Sequence, residues 1–126
     1  MKLPTKVRYS LRLLIEIKNS EKMLTLSEIS KLTKISENYL KQLAAVLEKK
    51  GILKGKKGPN GGYVIVNDKV SLMDLIEIFS GGVQLAPCID EQYKCELINS
   101  CRARGTWLKL NTQISELFKS ITLKDF

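Results

Sequence analysis

The 126-residue sequence contains no histidine. That removes the side chain most often used for proton transfer near neutral pH, and every zinc site that relies on imidazole. Long apolar runs are also missing. None approaches the roughly 20 residues that a membrane-spanning helix needs. The opening MKLPTKVRYS carries charge from its second residue, so it lacks the apolar stretch of a secretory signal. The expected location is the cytoplasm, with no membrane partner. Internal repeats and low-complexity segments are absent. No paired-carboxylate constellation is visible, and Gly58 to Gly62 lacks the following helix that a phosphate-cradling loop requires. An enzyme is not expected. Cysteine is scarce: Cys88, Cys95 and Cys101 all fall within 14 residues. An odd, clustered set does not read as a disulfide framework.

Acidic residues are unevenly scarce. Residues 1–70 hold 15 Lys and Arg against 6 Asp and Glu, a net of +9, while residues 71–126 hold 6 against 7, a net of −1; together these give the overall +8. A basic half of this kind is an electrostatic footprint for nucleic acid when it coincides with a reading element. The 44% apolar content is enough for one core, and the small size favours further burial by self-association.

Within the basic half, Ser36 to Val66 reads as a helix followed by a tight basic hairpin. Leu40, Leu43, Ala44 and Leu47 fall at i, i+3, i+4 and i+7, the spacing of one apolar helical stripe. Asn38, Lys41, Gln42 and Lys49 lie opposite. Gly51 stops the helix. Leu53–Lys57 and Tyr63–Val66 are the expected strands, joined by Gly58-Pro59-Asn60-Gly61-Gly62. Amide and ammonium groups on a helix suit base edges in a major groove, and a basic hairpin suits phosphates or a minor groove. The fold class is therefore mainly α with a small β-hairpin wing. The expected architecture is a winged helix-turn-helix, with a long C-terminal dimerisation helix expected from the pattern of residues 105–126.

Upstream, Lys6–Asn19 is the expected first helix, with Val7, Leu11, Leu14 and Ile15 inward. Arg8 and Arg12 are one turn apart and outward, able to meet phosphate or simply water. Thr25-Leu26-Ser27-Glu28 has the form of a capping box. It opens a short helix to about Leu32, and Thr33-Lys34-Ile35 is the turn. Ser36 caps the next helix and sets Glu37, Asn38 and Tyr39 in its first turn, the part that meets bases in helix-turn-helix proteins. Tyr39 either stacks on the nucleic-acid backbone or packs partly into the core. Lys54, Lys56 and Lys57 are candidate phosphate contacts.

Ser71-Leu72-Met73-Asp74 is a second capping box, beginning a helix through Phe79 that Gly81-Gly82 ends. Residues 83–104 are expected to be irregular. From about Thr106, the residues Trp107, Leu110, Ile114, Leu117 and Ile121 step by 3, 4, 3 and 4, a heptad seam of barely two heptads that suits packing on its own domain or, as the favoured reading, a partner helix in a homodimer. The expected organisation is thus residues 1–70 for DNA binding, 71–82 for a supporting helix, 83–104 for the cysteine segment and 105–126 for dimerisation. Cys88-x6-Cys95-x5-Cys101 is looser than the usual zinc-knuckle spacing. It suits an iron–sulfur cluster, free thiols or a redox disulfide.

With these pieces assembled, the sequence resembles the Rrf family of bacterial transcriptional regulators (IscR-, NsrR- and CymR-like proteins) over nearly its whole length. The resemblance rests on MKLPTKVRYSLRLL, the ISENYLKQLAAVLEKKGILKGKKGPNGGYVI block, VSLMDLIEIFSGG, the three-cysteine segment and the terminal W-x2-L…TLKDF. GPNGGY after a basic run is its most specific part. It implies a dimer with the C-terminal helix crossing between subunits, bound to a double-stranded, palindromic operator. The implied DNA contacts are Ser36, Asn38, Tyr39, Lys41 and Gln42, and the wing from Lys57 through Pro59, Asn60, Gly61 and Gly62 to Tyr63. It further implies that Cys88, Cys95 and Cys101 ligate a [2Fe–2S] or [4Fe–4S] cluster that senses redox state, nitric oxide or cluster supply. CymR-like members instead point to control by thiol oxidation or a protein partner. The sequence departs from the pattern at the fourth ligand. Arg104 stands where IscR-like members have histidine, and Arg8 where NsrR-like members have an acidic residue. Asp90, Glu91, Glu96 or an exogenous group remain as alternatives. Lys41 replaces an acidic residue that modulates sequence choice, so the operator does not transfer.

Overall fold

The computed structural model describes all 126 residues. The first helix, α1 (Thr5–Asn19), follows Pro4 and buries Val7, Ser10, Leu13, Leu14 and Ile17. This inner face is rotated from the expected one: Leu11 and Ile15 are half-buried, and Leu13 and Ile17 take their place. Ser10 explains the difference. Its hydroxyl donates to the Val7 carbonyl at 2.9 Å, so a polar residue completes the stripe without an unpaired buried group.

Helix α2 (Leu26–Thr33) opens on the expected capping box. The Glu28 amide donates to Thr25 Oγ1 at 3.2 Å, and the Thr25 amide donates to Glu28 Oε2 at 2.8 Å. That amide, then the Lys22 ammonium, hold the Glu28 carboxyl below its ordinary value of 4.5. Lys34 ends the helix in the left-handed conformation at φ 61°, which is uncommon without glycine. Helix α3 (Glu37–Lys49) then begins with Ser36 Oγ accepting from the Tyr39 amide at 3.2 Å, and buries Leu40, Leu43, Ala44 and Leu47 as the spacing predicted.

Strands β1 (Leu53–Lys56) and β2 (Gly62–Ile65) form an antiparallel hairpin, with Leu53 opposite Ile65 and Lys56 opposite Gly62. Strand β1 ends one residue earlier than the sequence pattern suggests, and β2 is shifted by one residue towards the turn. The Tyr63 amide donates to the Leu24 carbonyl at 3.2 Å, which ties the hairpin to the chain before α2. This approach requires glycine at position 62: a Cβ there would lie 2.2 Å from that carbonyl oxygen, on a backbone at φ +152°.

Helix α4 (Leu72–Ser80) begins on the Ser71–Asp74 capping box. Leu72, Leu75 and Ile76 join the same core as α1, α2 and α3, so the supporting helix is part of the winged-helix body rather than a separate layer. Beyond Gly82 the backbone is irregular apart from one short 3-10 turn, Pro87–Ile89. Helix α5 (Arg104–Ser120) starts two residues before the expected Thr106, and none of its residues is buried. The chain then returns. The Leu72 amide donates to the Ile121 carbonyl at 2.8 Å, the Leu123 amide donates to the Val70 carbonyl at 3.1 Å, and Leu123 fills the core. Lys18 Nζ donates to the carbonyls of Leu123 at 3.0 Å and Phe126 at 2.5 Å. No helix is long and apolar enough to cross a membrane.

Candidate nucleic-acid interface

The residues expected to read DNA divide into presented and structural groups. Ser36, Asn38, Lys41 and Gln42 are exposed on one side of α3. The Ser36 hydroxyl is already committed to the cap, as described. Tyr39 falls on the core side of the alternatives left open: it is half-buried against the core, its ring edge-on to Tyr9 with centroids 5.9 Å apart and planes at 87°. In the wing, Lys54, Lys56, Lys57, Pro59 and Asn60 are exposed. Gly61 is not: it lies buried under the turn, where a Cβ would come within 2.2 Å of the Lys56 carbonyl oxygen. Gly61 and Gly62 let the backbone close at this turn, where any Cβ would meet a carbonyl oxygen. Tyr63 is half-buried, and its hydroxyl titrates above the ordinary value of 10.0 because of burial and, second, the Glu48 charge.

Charge on this surface is unpaired within the chain. The two ion pairs present, Lys22–Glu28 at 3.1 Å and Lys119–Glu116 at 3.4 Å, involve neither α3 nor the wing. Lys41, Lys54, Lys56 and Lys57 therefore face solvent with no carboxylate partner, the placement that phosphate binding requires. Arg8 is exposed but partly engaged, donating to the Leu3 carbonyl at 3.1 Å and to Thr5 Oγ1 at 3.2 Å. Arg12 is exposed, as expected of an outward residue, and one guanidinium nitrogen donates to the Thr33 carbonyl at 2.7 Å.

The expected seam on α5 is only partly free. Trp107, Leu110 and Leu117 are 41%, 37% and 58% exposed, and Leu108, which the heptad stepping omitted, is 37% exposed. Ile114 is half-buried. Ile121 leaves the seam, because it lies past the helix end and packs on the core of its own chain together with Phe118.

All three cysteines are free: Cys88 and Cys95 are half-buried and Cys101 is exposed. They are not gathered, with each other or with Asp or Glu, into a set of three or more able to hold a metal ion. Of the alternative ligands, Asp90 Oδ1 already accepts from the Gln92 amide at 2.9 Å. Arg104 cannot ligate a cation, and its Nε is buried without a hydrogen-bond partner. As placed, this donor set does not fit a cluster. The segment is nonetheless joined to α5, since the Leu85 amide donates to Asn111 Oδ1 at 3.1 Å. Asn111, Lys18 and Arg12 are not legible as structural residues in the sequence, because a polar side chain bonded to a distant backbone group leaves no periodic signature.

Comparison with known proteins agrees with this geometry. Residues 3–126 match the family model Rrf2, described as an iron-dependent transcriptional regulator. The transcriptional regulator CymR of Bacillus subtilis is 30% identical over 129 residues, covering 99% of this chain and 88% of the relative. The structure of CymR, the global cysteine regulator of B. subtilis, superposes with a TM-score of 0.79 at 29% identity over 99% of this chain and 95% of that one. The T. potens IscR structure gives 0.75 at 27% identity, over 99% and 85%. The oxidised form of Staphylococcus aureus CymR gives 0.74 at 26%, over 98% and 94%. The chain belongs to the Rrf2 family of winged-helix transcriptional regulators, a family of DNA-binding proteins rather than enzymes.

Proposed function

We propose that the protein regulates transcription as a homodimer that reads a palindromic operator with two copies of α3 and grips the flanking backbone with its wings. The observation that carries this reading is the unpaired polar surface of α3 and the wing. Asn38, Lys41 and Gln42 are exposed on a rigid helix beside the exposed Lys54, Lys56 and Lys57. Amides and an ammonium suit base edges, while the wing lysines suit phosphates. Selection from a random pool of DNA duplexes by the full-length protein tests it. Enrichment of a two-fold symmetric site supports the reading, and a pool that stays random defeats it.

The cysteine segment is the proposed input, since it precedes α5 directly and is bonded to it through Asn111. Two forms of input have support. A cluster held by Cys88, Cys95 and Cys101 is supported by the iron-dependent description of the family and by three thiols in one segment. A cluster-free form is supported by the lack of a gathered three-ligand set, by Arg104 and by the likeness to CymR. In the oxidative version, two thiols form a disulfide and release two protons and two electrons to a peroxide or disulfide oxidant. In the other version, a protein partner engages the segment. The placement of the donors favours the cluster-free form. Native mass spectrometry of protein purified without oxygen separates the two. Two extra clusters per dimer support ligation, and apo mass after iron and sulfide reconstitution supports the thiol or partner form.

A further inference from the structure

We propose that Arg12 is a positioning residue for recognition. It clamps the turn between α2 and α3 to α1, and so sets how α3 is presented, without itself touching nucleic acid. The proposal rests on the reading of α3 as the recognition element.

The turn is short and needs holding. Thr33 is the last residue of α2, and its carbonyl is among the helix-end acceptors that no further turn of helix can satisfy. The next residue, Lys34, sits at φ 61°, a conformation that a lysine adopts only under constraint. Local bonds supply part of that constraint. Ser30 Oγ donates to the Ile35 carbonyl at 2.6 Å, and the Ile35 amide donates to Thr33 Oγ1 at 3.3 Å. Each of these stays within the α2–turn unit and leaves its angle to α1 free.

Arg12 supplies the long-range bond. Its guanidinium donates to the Thr33 carbonyl at 2.7 Å across 21 residues of sequence. A charged donor makes this stronger than an ordinary side-chain bond. The same guanidinium carbon lies 6.0 Å from the centre of the Tyr9 ring. Tyr9 in turn abuts Tyr39, in the first turn of α3. Arg12 thus meets the turn directly and approaches the start of α3 through two aromatic rings. Arg8 makes a useful contrast. It also lies near Tyr9, at 5.7 Å, but its hydrogen bonds go only to Leu3 and Thr5 in its own N-terminal segment.

The competing role for an arginine on the basic half is to bind phosphate, and salt dependence separates the two. Removing a phosphate-binding cation lowers the steepness of log affinity against log salt by about 0.9, whereas removing a positioning bond lowers affinity equally at every salt concentration. The experiment compares full-length wild type with Arg12→Gln and Arg12→Lys. Affinity is measured by fluorescence anisotropy on a duplex enriched by the wild type, over a salt series. Amide hydrogen exchange is followed on the free proteins. Arg12→Gln is expected to bind about 5- to 10-fold more weakly at all salt concentrations, with unchanged slope. Exchange should quicken at Lys34 and Ile35 while the core amides of Leu14 and Leu47 stay protected. Arg12→Lys should recover part of the affinity, since an ammonium can reach a carbonyl but lacks the planar guanidinium that approaches the Tyr9 ring.

A shallower salt slope would make Arg12 a phosphate ligand and overturn the proposal. Unchanged affinity, or quickened exchange throughout the core, would overturn it as well. If the wild type enriches no duplex, the reading of function falls, yet exchange at Lys34 and Ile35 still decides the clamp: unchanged rates reject it and quickened rates uphold it.

Discussion

Residues 1–80 and residues 81–122 are built on different terms. The first part buries nearly all of the core, with α1, α2, α3, α4 and the hairpin converging on one cluster. The second part has no buried residue at all, and the next one after Ile76 is Leu123, in the returning tail. Yet α5 carries Trp107, Leu108, Leu110 and Leu117 at least a third exposed. Grouped exposed apolar side chains on one helix mark an interaction surface. The winged body is complete within one chain, whereas α5, in the proposed homodimer, is completed by a second. A substitution should therefore damage folding in one region and assembly in the other.

The largest effect is expected where assembly and binding meet. Leu110→Glu should convert the dimer to monomer in sedimentation experiments while leaving the thermal melt of the winged body intact. Operator affinity should drop on the order of 100-fold or more, because two linked half-sites lose their avidity. A dimer that survives both this change and Trp107→Glu would remove the contrast between the regions. Next in size is the core itself. Leu40→Ala should lower the unfolding free energy by about 2–5 kcal/mol in urea titrations. Leu117→Ala, by contrast, should change the stability of the monomeric body by under about 0.5 kcal/mol.

Smaller effects sharpen the comparison within the basic half. Lys57→Gln should weaken operator binding a few-fold and reduce the salt slope by about 0.9, as measured by anisotropy. Asn38→Ala should instead change which base pairs are preferred at an unchanged slope. The smallest effect concerns the α2 cap. The folded state lowers the Glu28 pKa, so the stabilisation is present above the unfolded value of 4.5 and fades as pH falls through the lower folded value. Glu28→Gln should then lower the melting temperature slightly near neutral pH and not at all in acid well below that value.

The sequence was most legible where local rules act. Both capping boxes, the Ser36 cap and the apolar stripe of α3 appear as read, because each depends on residues three or four apart. The hairpin was legible too, from its glycine-rich turn. Legibility failed where one polar group meets a distant one. Ser10 hid the true stripe of α1 by bonding within its own turn. Arg12 looked like a free surface cation because its partner, Thr33, lies 21 residues on, at the end of the next helix. Ile121 matched a heptad by number, but the helix ends before it and the backbone turns back to pair with Leu72. The steric need for glycine at 61 and 62 was hidden too, because sequence context does not reveal which carbonyl presses on them. The cysteines show a further limit: their spacing puts three thiols in one segment, whereas the fold does not gather them into a three-ligand set.

Hydroxyl-radical footprinting of the wild-type protein on its enriched duplex decides whether the chain reads DNA as a symmetric dimer. The account predicts two symmetric protected blocks whose centres lie one helical turn apart, about 34 Å, or a whole multiple of it, with outer protection that disappears in a Lys54, Lys56 and Lys57 triple glutamine variant. A single unsymmetric block, or protection indifferent to both the wing lysines and Asn38, would contradict it.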